Sequence, residues 1–130
     1  MSAPLWTPSA DRVAHARLTA FAKVASERTG RTLSAYADLH AWSVADRPAF
    51  WETVWDACGV VGERGPRTLL DGDRMPGARW FPDARLSFAE NLLRRDDDAP
   101  AIVFRREDGQ RRVVTFRALR AEVGRLQGAL

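Results

Sequence analysis

Gly59, Gly62 and Gly65 come nearest to an arrangement that could grip a phosphate. A phosphate loop uses glycines to let successive backbone N–H groups close on the anion, and a lysine to reach the outer phosphates. Here the glycines stand three apart and no lysine follows, since Lys23, the chain's one lysine, lies upstream. The pattern predicts a flexible loop. His15 and His40 lie on separate predicted helices with no cysteine pair or paired-histidine spacing to complete a zinc set. Asp96-Asp97-Asp98 supplies three carboxylates, but consecutive side chains diverge and lack the spaced oxygens of a calcium loop, so a solvated linker is expected. Cys58, the single cysteine, falls in an aromatic stripe, where burial raises a thiol's pKa and leaves it inert. Serine, histidine and aspartate are all present, yet a triad is a matter of geometry and nothing in the order places one. The residues therefore assign no catalytic, no cofactor-binding and no metal-binding position.

The elements that carry these residues are short helices first. Ser9 is placed to cap a helix with Asp11 in its first turn; Ala14, Leu18, Phe21, Ala22 and Ala25 recur at helical spacing, and Gly30 stops the run. Ser34 opens a second helix carrying Tyr36, Leu39 and His40 and ending near Trp42. A third follows Ser43-Val44-Ala45-Asp46 with Pro48 in its first turn, where a missing N–H costs nothing. Phe50, Trp51, Val54, Trp55 and Cys58 form its stripe, and a stripe at that spacing is expected to be core. Residues 59–73 read as loop with a weak extended patch at Thr68-Leu69-Leu70.

Met75 to Leu93 is the seam of the chain. Pro76-Gly77 signals a turn of type II character. Trp80-Phe81-Pro82 is pushed toward extended backbone by its proline, leaving two aromatics in need of a surface. Ser87 and Glu90 have capping-box spacing, and Phe88, Leu92 and Leu93 give the ensuing helix an apolar side to bury. After a polar link, Ala101 to Phe104 and Arg111 to Phe116 flank the turn dipeptide Asp108-Gly109 as a hairpin. Thr115 caps a last helix with Leu119, Val123, Leu126 and Leu130 on one face, a pattern that runs to the final residue and reads as truncated. The fold class is thus α+β: N-terminal short helices plus an extended aromatic segment, then a β-hairpin and helix that begin a larger α/β domain.

Bulk properties narrow the rest. The chain has 130 residues, 45% apolar and 28% charged, which is globular composition. The net charge of +3 is carried by arginines interspersed with acids, so no basic face for nucleic acid is expected. No apolar run approaches the roughly 20 residues of a membrane span. The start, MSAPLWTPSADR, lacks a basic end and an apolar core, and one cysteine fits a reducing compartment, so a cytoplasmic protein is expected.

Pro4-Leu5-Trp6, Tyr36 to Val44 (YADLHAWSV), Phe50 to Asp56 (FWETVWD) and Met75 to Arg94 (MPGARWFPDARLSFAENLLR) together resemble the N-terminal region of the AMP-forming acyl-CoA synthetases, the adenylating superfamily. The Phe-Trp helix and the tryptophan-aromatic-proline seam are shared with its acetyl- and propionyl-CoA synthetases; the Ala89 to Arg94 ending and the Pro4-Leu5-Trp6 start favour its acetoacetyl-CoA synthetase branch. Thr115 to Leu119 departs from the family pattern by lacking an acid at Ala118. The resemblance implies residues 1–95 as the N-terminal helical region and 96–130 as the opening of the AMP-binding domain. It implies ATP, Mg²⁺ and CoA for the whole ligase, and it places every catalytic and nucleotide-binding motif beyond Leu130. The segment's partner would be the rest of that adenylation domain, met through Trp42, Phe50, Trp51, Trp55, Trp80 and Phe81. A free-standing interaction module is the competing reading.

Overall fold

A computed structural model describes residues 5–130, so Pro4 of the Pro4-Leu5-Trp6 segment lies outside the described residues. The chain divides into two compact units, the first ending at Arg85 and the second running from Leu86 to Leu130. The first holds four helices, α1 (Ala10–Ala14), α2 (Arg17–Thr29), α3 (Tyr36–Ala45) and α4 (Arg47–Ala57), and the antiparallel pair β1 (Leu69–Leu70) and β2 (Arg79–Trp80). The second holds α5 (Phe88–Leu92), the hairpin β3 (Pro100–Arg105) and β4 (Arg111–Thr115), and α6 (Phe116–Gln127).

The single helix expected from Ser9 to Gly30 is two. Ser9 caps as anticipated, its hydroxyl accepting the Arg12 N–H at 3.2 Å. The helix then stops at Ala14, and Ala16 turns extended at φ −69°, ψ 139°. No glycine or proline marks the break. The orphan carbonyls are answered locally instead: the His15 backbone N–H donates to Asp11 O, and the Thr19 hydroxyl donates to Val13 O at 2.6 Å. At the far end Gly30 takes φ +66°, the left-handed stop its glycine predicts.

Helix α4 packs on both α2 and α3. The buried apolar side chains among the described residues of this unit are Ala22, Ala25, Leu33, Leu39 and Trp42, with Phe21, Ala49 and Phe50 against them. The alanines let helix backbones approach closely, and Trp42, 2% exposed, fills the space between. Leu33 is drawn inward because the Ser26 hydroxyl donates to Ala22 O at 2.8 Å and accepts the Leu33 N–H at 3.0 Å. Helix α3 runs three residues past Trp42 to Ala45, and its N-cap is Ala35, with no side-chain cap. Asp46 caps α4 by accepting the Ala49 N–H at 3.1 Å, and Pro48 sits in the first turn.

The aromatic stripe of α4 is core only in part: Phe50 packs against Phe21 and Trp42, but its tryptophans do not. Thr53 is the fully buried residue of that helix, its hydroxyl satisfied by Ala49 O at 2.8 Å, while Trp51 keeps 40% of its surface. Cys58 is exposed, contrary to the buried, inert thiol expected, because α4 ends at Ala57 and leaves Cys58 at the cap. Trp42 also departs from expectation: buried in its own unit, it has no surface to offer a partner.

In the second unit the hairpin is as read. Arg106 N–H donates to Gln110 O at 2.9 Å, Gly109 N–H donates to Arg106 O at 3.1 Å, and Gly109 holds φ +84°. This is a three-residue loop with glycine in the left-handed position. Thr115 caps α6, accepting the Ala118 N–H at 3.2 Å. The helix stops at Gln127, so the uninterrupted pattern to Leu130 is not continuous helix: Gly128 N–H bonds Gly124 O and Ala129 N–H bonds Leu126 O. Phe88 and Leu92 on α5, and Ile102, Val103 and Phe104 on β3, are exposed.

Trp42→Ala should cost about 3–5 kcal/mol, the usual range for emptying a buried aromatic site, whereas Trp51→Ala should cost visibly less. Urea unfolding of both variants against the parent checks the order.

Candidate functional site

The aromatics of the seam find a first surface on α4. Trp51 lies 5.4 Å from Trp80 and Trp55 lies 4.9 Å from Phe81, centroid to centroid. Two rings one helical turn apart on α4 therefore meet two consecutive residues of the extended segment. Consecutive strand residues point to opposite sides, so Phe81 must leave strand geometry to reach Trp55. It does so at φ +45°, a left-handed conformation unusual for a bulky side chain and costing of order 1–3 kcal/mol.

Two backbone hydrogen bonds hold Phe81 there, and a set of longer-range contacts braces them. The Phe81 N–H donates to Thr68 O at 2.9 Å, and the Ala84 N–H donates to Phe81 O at 2.9 Å. Thr68 is buried and its hydroxyl donates to Glu52 Oε1 at 2.6 Å, which ties the same residue back to α4. Glu63 and Arg85 exchange backbone hydrogen bonds at 2.9 and 2.8 Å as an isolated antiparallel bridge. Between these, Arg67 pairs with Asp83, its Nε 2.7 Å from Oδ2. Arg28 donates to Asp56 at 2.5 Å and stands 3.7 Å from Glu52, so α2 is linked to the same face of α4.

The turn at Pro76-Gly77 is present, but it is built with a cis Met75–Pro76 bond and Gly77 at φ +133°, not in type II geometry. The glycine loop is likewise more constrained than a flexible loop. A side chain at Gly65, where φ is +75°, would meet Asp83 Cβ at 2.6 Å, so glycine is required for the loop to close over Asp83. The loop so closed lies against the residue that pairs with Arg67.

In the second unit, Asp96-Asp97-Asp98 is an arginine cradle and not merely a solvated link. Arg117 Nε donates to Asp98 at 3.0 Å and its Nη1 reaches Asp96 at 3.5 Å. Arg95 pairs with Asp97 at 2.8 Å and lies over the Phe116 ring at 4.9 Å. The Asp97 carbonyl accepts the Arg117 N–H at 3.0 Å, fastening the link to the first turn of α6. His15 and His40 lie on different helices, and no group of three metal-ligating side chains occurs among the described residues. Charge pairs 16 to 28 residues apart in sequence left no local signal; only the closing of β1 on β2 brings Arg67 to Asp83.

The Arg67 hydrogen bond holds the Asp83 carboxyl below its ordinary value of 3.8, and the Arg95 hydrogen bond does the same for Asp97. A carboxylate whose folded pKa lies below its unfolded one adds stability above the unfolded value, and that stability is lost as pH falls through the folded value. The unfolding midpoint in urea should therefore drop as pH falls below about 3.8. Asp83→Asn should show a shallower acid dependence than the parent; identical profiles would contradict this role.

Comparisons with known proteins point to one kind of protein. Residues 36–92 match the family described as acetyl-coenzyme A synthetase N-terminus. The chain is 48% identical over 127 residues to an acetoacetyl-coenzyme A synthetase of Rhizobium meliloti, a match spanning 98% of this chain and 20% of the relative. It is 35% identical to a malonamoyl-CoA synthetase of Penicillium aethiopicum, across 97% of this chain and 18% of that protein. Among solved structures it superposes on an acetoacetyl-CoA synthetase from Streptomyces lividans with a TM-score of 0.82 and 40% identity, covering 94% of this chain and 20% of that one. The chain thus spans about one-fifth of the length of the curated relatives it matches.

Proposed function

We propose that this chain, which in sequence and fold matches the N-terminal region of the acetoacetyl-CoA synthetases, serves as that region of an AMP-forming acetoacetate–CoA ligase. Such a ligase joins acetoacetate to CoA at the expense of ATP, releasing acetoacetyl-CoA, AMP and pyrophosphate. The observation that carries the reading is the 48% identity to the Rhizobium meliloti protein along nearly the whole of this chain. It favours acetoacetate over the acetyl or propionyl reading, and a ligase segment over a free-standing interaction module.

In this reading the present residues act architecturally and touch no reacting atom. ATP, Mg²⁺ and CoA belong to the remainder of the ligase, which works in the cytoplasm. The half-exposed rings of Trp51 and Trp80 form the surface offered to that remainder, with Trp55 and Phe81 behind them. Apolar surface of this kind, fixed in position before contact, loses little conformational entropy on docking. No helix among the described residues is long and apolar enough to cross a membrane.

Reconstitution tests the reading. The Rhizobium meliloti enzyme lacking its own matching N-terminal region, assayed for acetoacetate-dependent AMP release, should gain roughly tenfold or more when the 130-residue chain is added, equivalent to about 1.4 kcal/mol of restored transition-state stabilisation. Acetate should substitute poorly. ATP–pyrophosphate exchange by the 130-residue chain alone, or indifference of the truncated enzyme to its addition, would overturn the assignment.

A further inference from the structure

Between α2, α3 and α4 lies an open groove of about 440 Å³ that the docking surface does not use. Its size falls in the range of small-molecule sites, which are mostly apolar with a few polar groups at the mouth. Phe21, Leu39, Phe50 and Val54 line it. The apolar wall is preformed: Phe50 meets Phe21 edge to face at 5.8 Å and Trp42 at 5.6 Å, so core packing fixes its ring.

The charged side chain that lines the groove is Arg17. His40 lines it too, and no acidic side chain does. Arg28, Arg47, Arg64, Arg67 and Arg79 of the same unit each hold a carboxylate, whereas Arg17, like Arg12, Arg31, Arg74 and Arg85, makes no ion pair among the described residues. It also stands in the first turn of α2 with no acid beside it, where a cation adds to the positive end of the helix dipole. His40 is placed by stacking on Tyr36 at 6.0 Å, and its carbonyl accepts the Ser43 hydroxyl at 2.8 Å. An apolar groove lined by an arginine and by no acid is complementary to a molecule with an apolar tail and one negative charge.

We propose that this groove binds a small aliphatic carboxylate, its tail against Phe21 and Phe50 and its carboxylate at Arg17. The site is distinct from the aromatic docking surface and does not rest on the ligase reading.

Octanoate is the probe and 1-octanol its uncharged control, each titrated calorimetrically into the 130-residue protein. Cys58, the chain's one cysteine, lines the groove and is exposed, so its rate of alkylation by iodoacetamide reports occupancy. Octanoate should bind saturably at one site, roughly tenfold more tightly than octanol, and slow Cys58 alkylation several-fold. Arg17→Gln should abolish the preference for octanoate and leave octanol binding unchanged. Leu18→Glu, at an exposed position on the groove wall, should weaken both ligands. Equal affinity for the two ligands, octanoate binding that leaves Cys58 unprotected, or protection of Cys58 by self-association in place of octanoate would each overturn the proposal. The parent protein's octanoate-to-octanol ratio decides the matter even if a variant does not fold.

Discussion

The first unit depends on the meeting of two rings of α4 with two consecutive residues of the seam. Trp51 on Trp80 and Trp55 on Phe81 are the contacts that give an extended, two-residue strand a fixed place on a helical body. Such a strand has little ladder of its own, since β1 and β2 pair over only Leu69↔Trp80 and Leu70↔Arg79. Aromatic pairs contribute about 0.5–1.5 kcal/mol beyond the area they bury. Here that energy offsets a left-handed Phe81, and the Thr68 carbonyl and hydroxyl join the same two elements a second time. The glycine at Gly65, the Arg67–Asp83 pair and the Glu63–Arg85 bridge all serve that placement.

The second unit shows the complementary condition. Its hairpin presents exposed Ile102 and Phe104 on one side and Val103 and Val113 on the other, while ion pairs of Arg117 and Arg95 fix the approach to α6. Charge fastens the link, and apolar surface remains on both faces of the sheet. A larger α/β domain continuing from this hairpin would cover such faces, which is what the ligase reading supplies.

Much of this was legible in the sequence because it is local. Ser9, Ser87 and Thr115 cap where their residue types say, Gly30 stops its helix, and Asp108-Gly109 turns its hairpin, although Ser34 does not cap the helix expected to open there. Helical spacing failed in two informative places. It ran α1 and α2 together, because the break is made by His15 and Thr19 answering carbonyls and not by a helix breaker. It also took the stripe of α4 for core, because periodicity identifies a common face without saying what covers it. Phe50 and Thr53 face the other helices, and Trp51 and Trp55 face the seam. The long-range ion pairs were invisible for the same reason: with arginine and acid everywhere, only the closed chain decides which meet. Of the aromatics expected on the candidate surface, Trp42 is buried and Phe50 packs against Phe21 and Trp42, since a ring's type does not reveal which side of a helix is inward.

A double-mutant cycle on Trp55→Ala and Phe81→Ala, followed by urea unfolding, tests the central claim most directly. The two single losses should exceed what the double variant shows, with a coupling of about 1 kcal/mol, because the rings act as one contact. Strictly additive losses would mean that the seam is held by its backbone bonds alone and that α4 does not position it.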